Sequence, residues 1–114
     1  MQCVHADLLE WEPIRRYGLW HDRALFHFLV DDARRQRYVD VLGRTLAPKG
    51  AVIVGTFAAD GPESCSGLPV RRYSATDLEE ALGDRFIALE TRREEHITPR
   101  AAVQPFTWIA GRLD

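Results

Sequence analysis

The sequence predicts an α/β domain in which a parallel strand–helix–strand unit comes first and an antiparallel hairpin comes last. Three observations carry that expectation. The apolar segment Tyr17-Gly-Leu-Trp20 runs into the polar triplet His21-Asp22-Arg23 and then into a second apolar stretch. Downstream, an amphipathic segment reaches the breaker Ala47-Pro48-Lys49-Gly50 and the continuously apolar Ala51-Val-Ile-Val-Gly-Thr-Phe57. Two further strand-like segments, Phe86 to His96 and Val103 to Leu113, meet through Thr98-Pro99-Arg100. Strand, helix and strand in that order make a right-handed parallel crossover, and such sheets bind ligands at the carboxyl ends of their strands. His21-Asp22-Arg23 holds that place, which makes it the leading candidate site.

The elements follow in order. Cys3-Val-His-Ala6 reads as a short strand leading to Asp7-Leu8-Leu9, and Glu10-Trp-Glu-Pro13 as a loop, because proline and its predecessor interrupt regular structure. Tyr17 to Trp20 is the second strand. Ala24 to Leu29 follows a polar strand end, which favours a helical or turn-like start over a strand. Asp31 and Asp32 give acid character to a helix N-terminus, and the helix is expected to run to about Leu46. Tyr38, Val39, Leu42 and Leu46 recur at three- and four-residue spacing and make one buried stripe, leaving Arg34, Arg35, Arg37 and Arg44 mostly in solvent.

Ala51 to Phe57 has the composition of a strand covered on both faces. Ala59 to Arg72 is polar and contains glycine and proline, a loop of the length that often carries function. Ser74-Ala-Thr-Asp77 matches a capping box, with Leu78, Ala81 and Leu82 as the inner face of a short helix that Gly83 stops.

Bulk properties set the class. A chain of 114 residues holds one domain, with 46% hydrophobic and 28% charged residues, as in ordinary globular proteins. A net charge of −2 gives no electrostatic drive toward nucleic acid or anionic lipid. Lys49 is the only lysine, and the arginines are scattered along the chain instead of forming a patch. Cys3 and Cys65 stand far apart in no metal or redox spacing, which suits free thiols in a reducing compartment. No apolar run approaches a membrane span, and the N-terminus lacks the pattern of a secretory signal. The expected setting is cytoplasmic.

This ordered series resembles the second half of the class I S-adenosylmethionine-dependent methyltransferase domain, a Rossmann-like sheet. Val4-His-Ala-Asp7-Leu8 resembles the family's third strand, and Tyr17 to His27 its fourth strand with the start of the following helix. Leu46-Ala-Pro-Lys-Gly50 before Ala51-Val-Ile-Val54 resembles the turn into the fifth strand, and Trp108-Ile109-Ala110 lies where the last, antiparallel strand would run. Two positions depart from the pattern: Gly18 where the family usually has Asp, and Lys49 where Gly is more common. No G-x-G-type loop is present, and the chain starts where the third strand should start. The resemblance therefore implies a single domain over 1–114 that is a C-terminal half, a partial methyltransferase sheet lacking the glycine-rich cofactor loop.

The resemblance also implies roles. Asp7 would contact the adenine amino group of S-adenosylmethionine, and Leu8 would supply a backbone amide and an apolar surface for the purine. His21 and Arg23 would line the cofactor site. His21 and Asp22 are the candidate catalytic residues, since imidazole titrates near neutral pH and can take a proton from the methyl acceptor. The bland alternative is an Asp22–Arg23 ion pair with His21 merely packed. His27 sits in an apolar run and reads as a packed histidine with one hydrogen bond. No metal site is expected, because His5, His21, His27 and Asp22 match no compact ligand spacing. Ser64, Cys65 and Ser66 lack a nucleophile elbow. Trp11, Trp20 and Trp108 read as core or site-wall aromatics whose indole N–H needs a partner when buried.

The expected partners are a small-molecule methyl acceptor and, for the missing front of the sheet, an upstream half or a second copy of the chain. Two other readings compete: an inactive pseudoenzyme or partner-binding remnant, and another Rossmann-like enzyme using a nicotinamide cofactor. An antiparallel last strand argues against the latter, because dinucleotide-binding sheets typically continue in parallel.

Overall fold

The computed structural model describes residues 17–65 and 67–113. The expectations placed on Cys3 to Ala6, Asp7, Leu8 and Trp11 lie outside these residues.

Strand β1 (Tyr17–Arg23) leads through a single 3-10 turn (Phe26–Phe28) to helix α1 (Asp32–Thr45) and strand β2 (Leu46–Phe57). Two residues at each side of a small hairpin form β3 (Ser64–Cys65) and β4 (Leu68–Pro69). Helix α2 (Ala75–Ala81) and the long pair β5 (Phe86–Ile97) and β6 (Val103–Leu113) complete the chain. The main sheet has the order β1-β2-β6-β5. β1 and β2 are parallel, and β6 is antiparallel to both of its neighbours. This is the α/β arrangement the sequence predicts, and the antiparallel last strand sets it apart from a sheet that continues in parallel.

Local chemistry explains the boundaries. Asp31 caps α1, its carboxylate accepting from the Arg34 N–H at 2.8 Å, and Ser74 caps α2 by accepting from the Asp77 N–H at 3.2 Å. Tyr38, Val41 and Leu42 form the fully buried stripe of α1. Arg35 departs from the expectation of a solvated arginine row. It is buried, because its guanidinium reaches back to donate to the Leu29 carbonyl at 3.0 Å and to Asp32.

Both helices lie on one face of the sheet. Trp20, Val52, Val54 and Ile109 meet Tyr38, Val41, Leu42, Leu78 and Leu82 there to make the core. The loop over Ala59 to Arg72 is more ordered than its composition suggests. Its base is pinned by Val70 N–H to the Glu63 carbonyl (3.1 Å), Arg71 N–H to His27 (2.7 Å) and Tyr73 N–H to Phe57 (3.0 Å). The bonds to His27 and Phe57 reach far outside the loop, so its composition gave no sign of them.

Among the described residues, no helix is long and apolar enough to cross a membrane.

Candidate functional site

Strand β1 does not end at Trp20. It runs on through the triplet, and Ala24, with φ of 64°, turns the chain away while its N–H donates to the Gly55 carbonyl at 2.8 Å. The two-residue period of a strand then sends His21 and Arg23 to one face and Asp22 to the other. The three residues share a strand end but not a surface.

Asp22 points into the core. Its Oδ1 accepts from the Leu25 N–H at 2.8 Å, and its Oδ2 from the Phe26 N–H at 3.1 Å and the Tyr38 hydroxyl at 2.6 Å. The Trp20 indole N–H donates in turn to the Tyr38 oxygen at 2.8 Å. Burial pushes the Asp22 carboxyl above its usual range, against the hydrogen bonds from Tyr38, Leu25 and Phe26. It also pushes the Tyr38 hydroxyl well up, with the Asp22 charge adding to the effect. The network welds the turn after β1 to helix α1. It occupies both carboxylate oxygens, and Asp22 makes no pair with Arg23.

His21 and Arg23 face the open side of the sheet. The His21 ring is exposed and stacks on Trp108, with ring centroids 5.8 Å apart and planes 24° apart. Trp108 lies over Gly55, where a Cβ would come within 2.7 Å of the indole ring, so only glycine admits this packing. The Arg23 guanidinium sits 4.5 Å from the Phe106 ring centroid and 5.5 Å from that of Trp108. Its Nη1 donates to Glu94 Oε1 at 3.0 Å, and the Trp108 indole N–H donates to the same oxygen at 2.9 Å. Those bonds, the indole's first, hold the Glu94 carboxyl below its usual range. The product is a shelf of His21, Trp108 and Phe106 with the Arg23–Glu94 pair at its edge.

His27 is the packed histidine the sequence predicts. It is fully buried, and its Nδ1 accepts from the Phe57 N–H at 3.1 Å, which places the ring proton on Nε2. Burial holds its pKa down at about 4. Trp20 and Trp108 each find the indole partner expected of them, Tyr38 and Glu94. Sequence reasoning did not foresee Tyr38 or Glu94 as partners of the triplet. The periodicity that marks Tyr38 as core carries no sign of its hydroxyl's target, and Glu94 meets Arg23 only through the strand order.

No protein-family model matches the sequence, and a search of curated proteins finds no match. Solved structures do match in three dimensions. The 1,6-didemethyltoxoflavin-N1-methyltransferase of Burkholderia thailandensis, with bound 1,6-didemethyltoxoflavin and S-adenosylhomocysteine, superposes with a TM-score of 0.73 at 20% identity over 97% of this chain. The N-methyltransferase NodS of Bradyrhizobium japonicum, in complex with S-adenosylhomocysteine, gives 0.69 at 14% over 95%. A methyltransferase of Methanosarcina mazei gives 0.69 at 13% over 95%.

The fold is that of a partial S-adenosylmethionine-dependent methyltransferase domain.

The likeness is one of fold, since identities this low carry no residue roles with them. The chain spans 50%, 52% and 65% of those three methyltransferase chains. Within that fold the end of β1 carries the exposed His21 and the Arg23–Glu94 pair on one face of the sheet, with the buried Asp22 network behind them.

Proposed function

We propose that this chain is the C-terminal half of an S-adenosylmethionine-dependent methyltransferase domain, and that the complete domain methylates a small-molecule nucleophile. One observation carries the reading: a methyltransferase-type sheet, its last strand antiparallel between β2 and β5, sets a polar triplet at the end of β1. The structural neighbours that hold S-adenosylhomocysteine support S-adenosylmethionine as the methyl donor. In such a transfer a lone pair of the acceptor attacks the methyl carbon as the carbon–sulfur bond breaks. The sulfur leaves as the thioether of S-adenosylhomocysteine, and the acceptor's proton passes to a base or to water.

In this reading His21 is the group placed to receive that proton, being exposed and held by its stack on Trp108. Arg23 lines the donor side. Asp22 acts as a positioning residue, holding the turn that follows β1. Asp7 and Leu8 remain the proposed adenine contacts. Much of the rate would come from proximity and in-line orientation, to which a rigid strand end contributes. A reducing, cytoplasmic setting suits the free thiol of Cys65.

The test is calorimetric titration with S-adenosylmethionine. The 114-residue chain alone is expected to show no micromolar binding, because the glycine-rich loop and a ribose-binding acid are not among its residues. Micromolar binding by the chain alone overturns the half-domain reading. An inactive partner-binding remnant is the second reading, favoured by one observation: the triplet's only carboxylate is buried with both oxygens engaged. Methyl transfer recovered on adding a complementary half excludes it.

A further inference from the structure

We infer that the hollow where helix α1 passes into strand β2 binds a small organic anion, a phosphate or carboxylate carried on an apolar ring. The site is separate from the strand-end triplet and stands whether or not the chain is half of a methyltransferase domain. Four strand steps, roughly 13 Å, divide Ala51 at this end of β2 from Gly55 beside Arg23.

The start of β2 is irregular. Its register against β1 passes from Tyr17–Leu46 to Leu19–Ala51, so two steps on one strand answer five on the other. Ala47-Pro48-Lys49-Gly50 therefore bulges out of the ladder, and a bulge re-aims the side chains it carries. Lys49 sits in it with φ of 64°, a conformation that glycine adopts freely and other residues adopt at a cost. The chain's one lysine is thus held where glycine would be the easier residue. Backbone strain of this kind gathers at ligand clamps.

Lys49, Arg85 and Arg112 line one hollow of about 390 Å³, together with Leu46, Pro48 and Leu113. Three separate segments bring the cations together. Arg112 stands opposite Ala51 on β2 and Ile87 on β5, and Arg85 directly precedes the Phe86–Leu113 pair. A Cβ at Gly43 would lie 3.4 Å from the Arg85 Nη1, so that guanidinium reaches the last turns of α1. No carboxylate among the described residues lines the hollow, and neither Lys49 nor Arg112 has an ion pair among them. Arg23, Arg92 and Arg93, by contrast, all face acids.

Two guanidinium forks and an ammonium suit the oxygens of a phosphate or carboxylate. Leu46, Pro48 and Leu113 suit an apolar ring beside that anion, and the volume is that of a small-molecule pocket. A net charge of −2 gives no pull toward an anionic membrane, which makes the occupant a soluble molecule.

The probe is 1-naphthyl phosphate, titrated calorimetrically into the full 114-residue chain at low ionic strength. Binding at one site is expected, at least tenfold tighter than that of 1-naphthol or of inorganic phosphate. Lys49→Gly should weaken it at least tenfold and yet raise the urea midpoint, because the left-handed strain is relieved. A variant that had merely lost its fold could not give both results. Arg112→Gln should also weaken binding, and Arg100→Gln, exposed on the β5–β6 turn, should not. Failure of the naphthyl ester to bind overturns the inference. So does equal affinity for either fragment, unchanged affinity in Lys49→Gly, or a lowered midpoint in that variant. Binding that appears only after Asp114→Asn overturns it too, since the chain's own carboxylate would then be the anion the cations serve.

Discussion

At the scale of single residues, two buried titratable groups pull stability in opposite directions as pH falls. His27 has a folded pKa of about 4, below the usual 6.5, so the unfolded chain takes up this proton first. Its contribution is whole above about pH 6.5 and is lost as pH falls toward 4, by up to about 3 kcal/mol. Asp22 has a raised folded pKa, so the native state binds its proton first and this group adds stability as pH falls through that value. His27→Gln keeps an acceptor for the Phe57 N–H but gains no proton. The stability gap between parent and variant, read from urea midpoints, should shrink steadily from pH 6.5 to 4.5. A constant gap would show that His27 does not titrate in this window. Asp22→Ala strands the Phe26 N–H and the Tyr38 hydroxyl in the core and frees the part-buried Leu25 N–H, and should cost about 3 kcal/mol. Tyr38→Phe removes one of the three donors and should cost roughly half as much. Equal losses in urea melts would contradict this ordering.

At the scale of elements, the strand–helix–strand order, both helix caps and the terminal pair were legible, because each rests on a local signal. Asp31 and Ser74 sit one residue before their helices, and Gly83 takes the positive φ of +94° that ends α2. What remained hidden depends on tertiary contact. The extension of β1 through His21-Asp22-Arg23 is driven by its pairing to Ile53, Val54 and Gly55, and no property of the triplet itself announces it. The β3–β4 hairpin is likewise held by bonds to residues outside the loop. The triplet does lie at a strand end, but the two-residue period of that strand divides it between two faces of the sheet. Gly55 tests the packing between β2 and β6. Gly55→Ala puts a methyl into the Trp108 ring and should destabilise the protein by about 1–3 kcal/mol, with a change in near-ultraviolet circular dichroism as the indole is displaced. An unchanged spectrum and melt would mean that Trp108 does not lie over this strand.

At the scale of the whole molecule, the two edges of the sheet differ. β5 carries Glu90, Arg92, Arg93, Glu94 and Glu95, the charge-rich design that discourages strand addition. β1 is short and apolar at its start, and among the described residues it pairs only with β2. An edge of this kind invites pairing with another chain. Light scattering of the purified 114-residue chain should show species larger than a monomer, reduced by Leu19→Lys; a clean monomer at high concentration counts against an accessible β1 edge. The fold class was readable from the order of segments because order fixes topology in a sheet this small. The sidedness of its cover was readable only in part: composition said that β2 has two faces to cover, and the described helices cover one.

The position of β6 has a consequence for synthesis. β6 follows β5 in the chain yet lies inside the sheet, and β5 reaches β2 only through it. A ribosome must therefore extrude Val103–Leu113 before β5 can join β2, so the nascent polypeptide carries a loose twelve-residue ribbon until β6 has followed it out. A stop codon anywhere between Thr98 and Phe106 would leave β5 cut off from the β1–β2 pair.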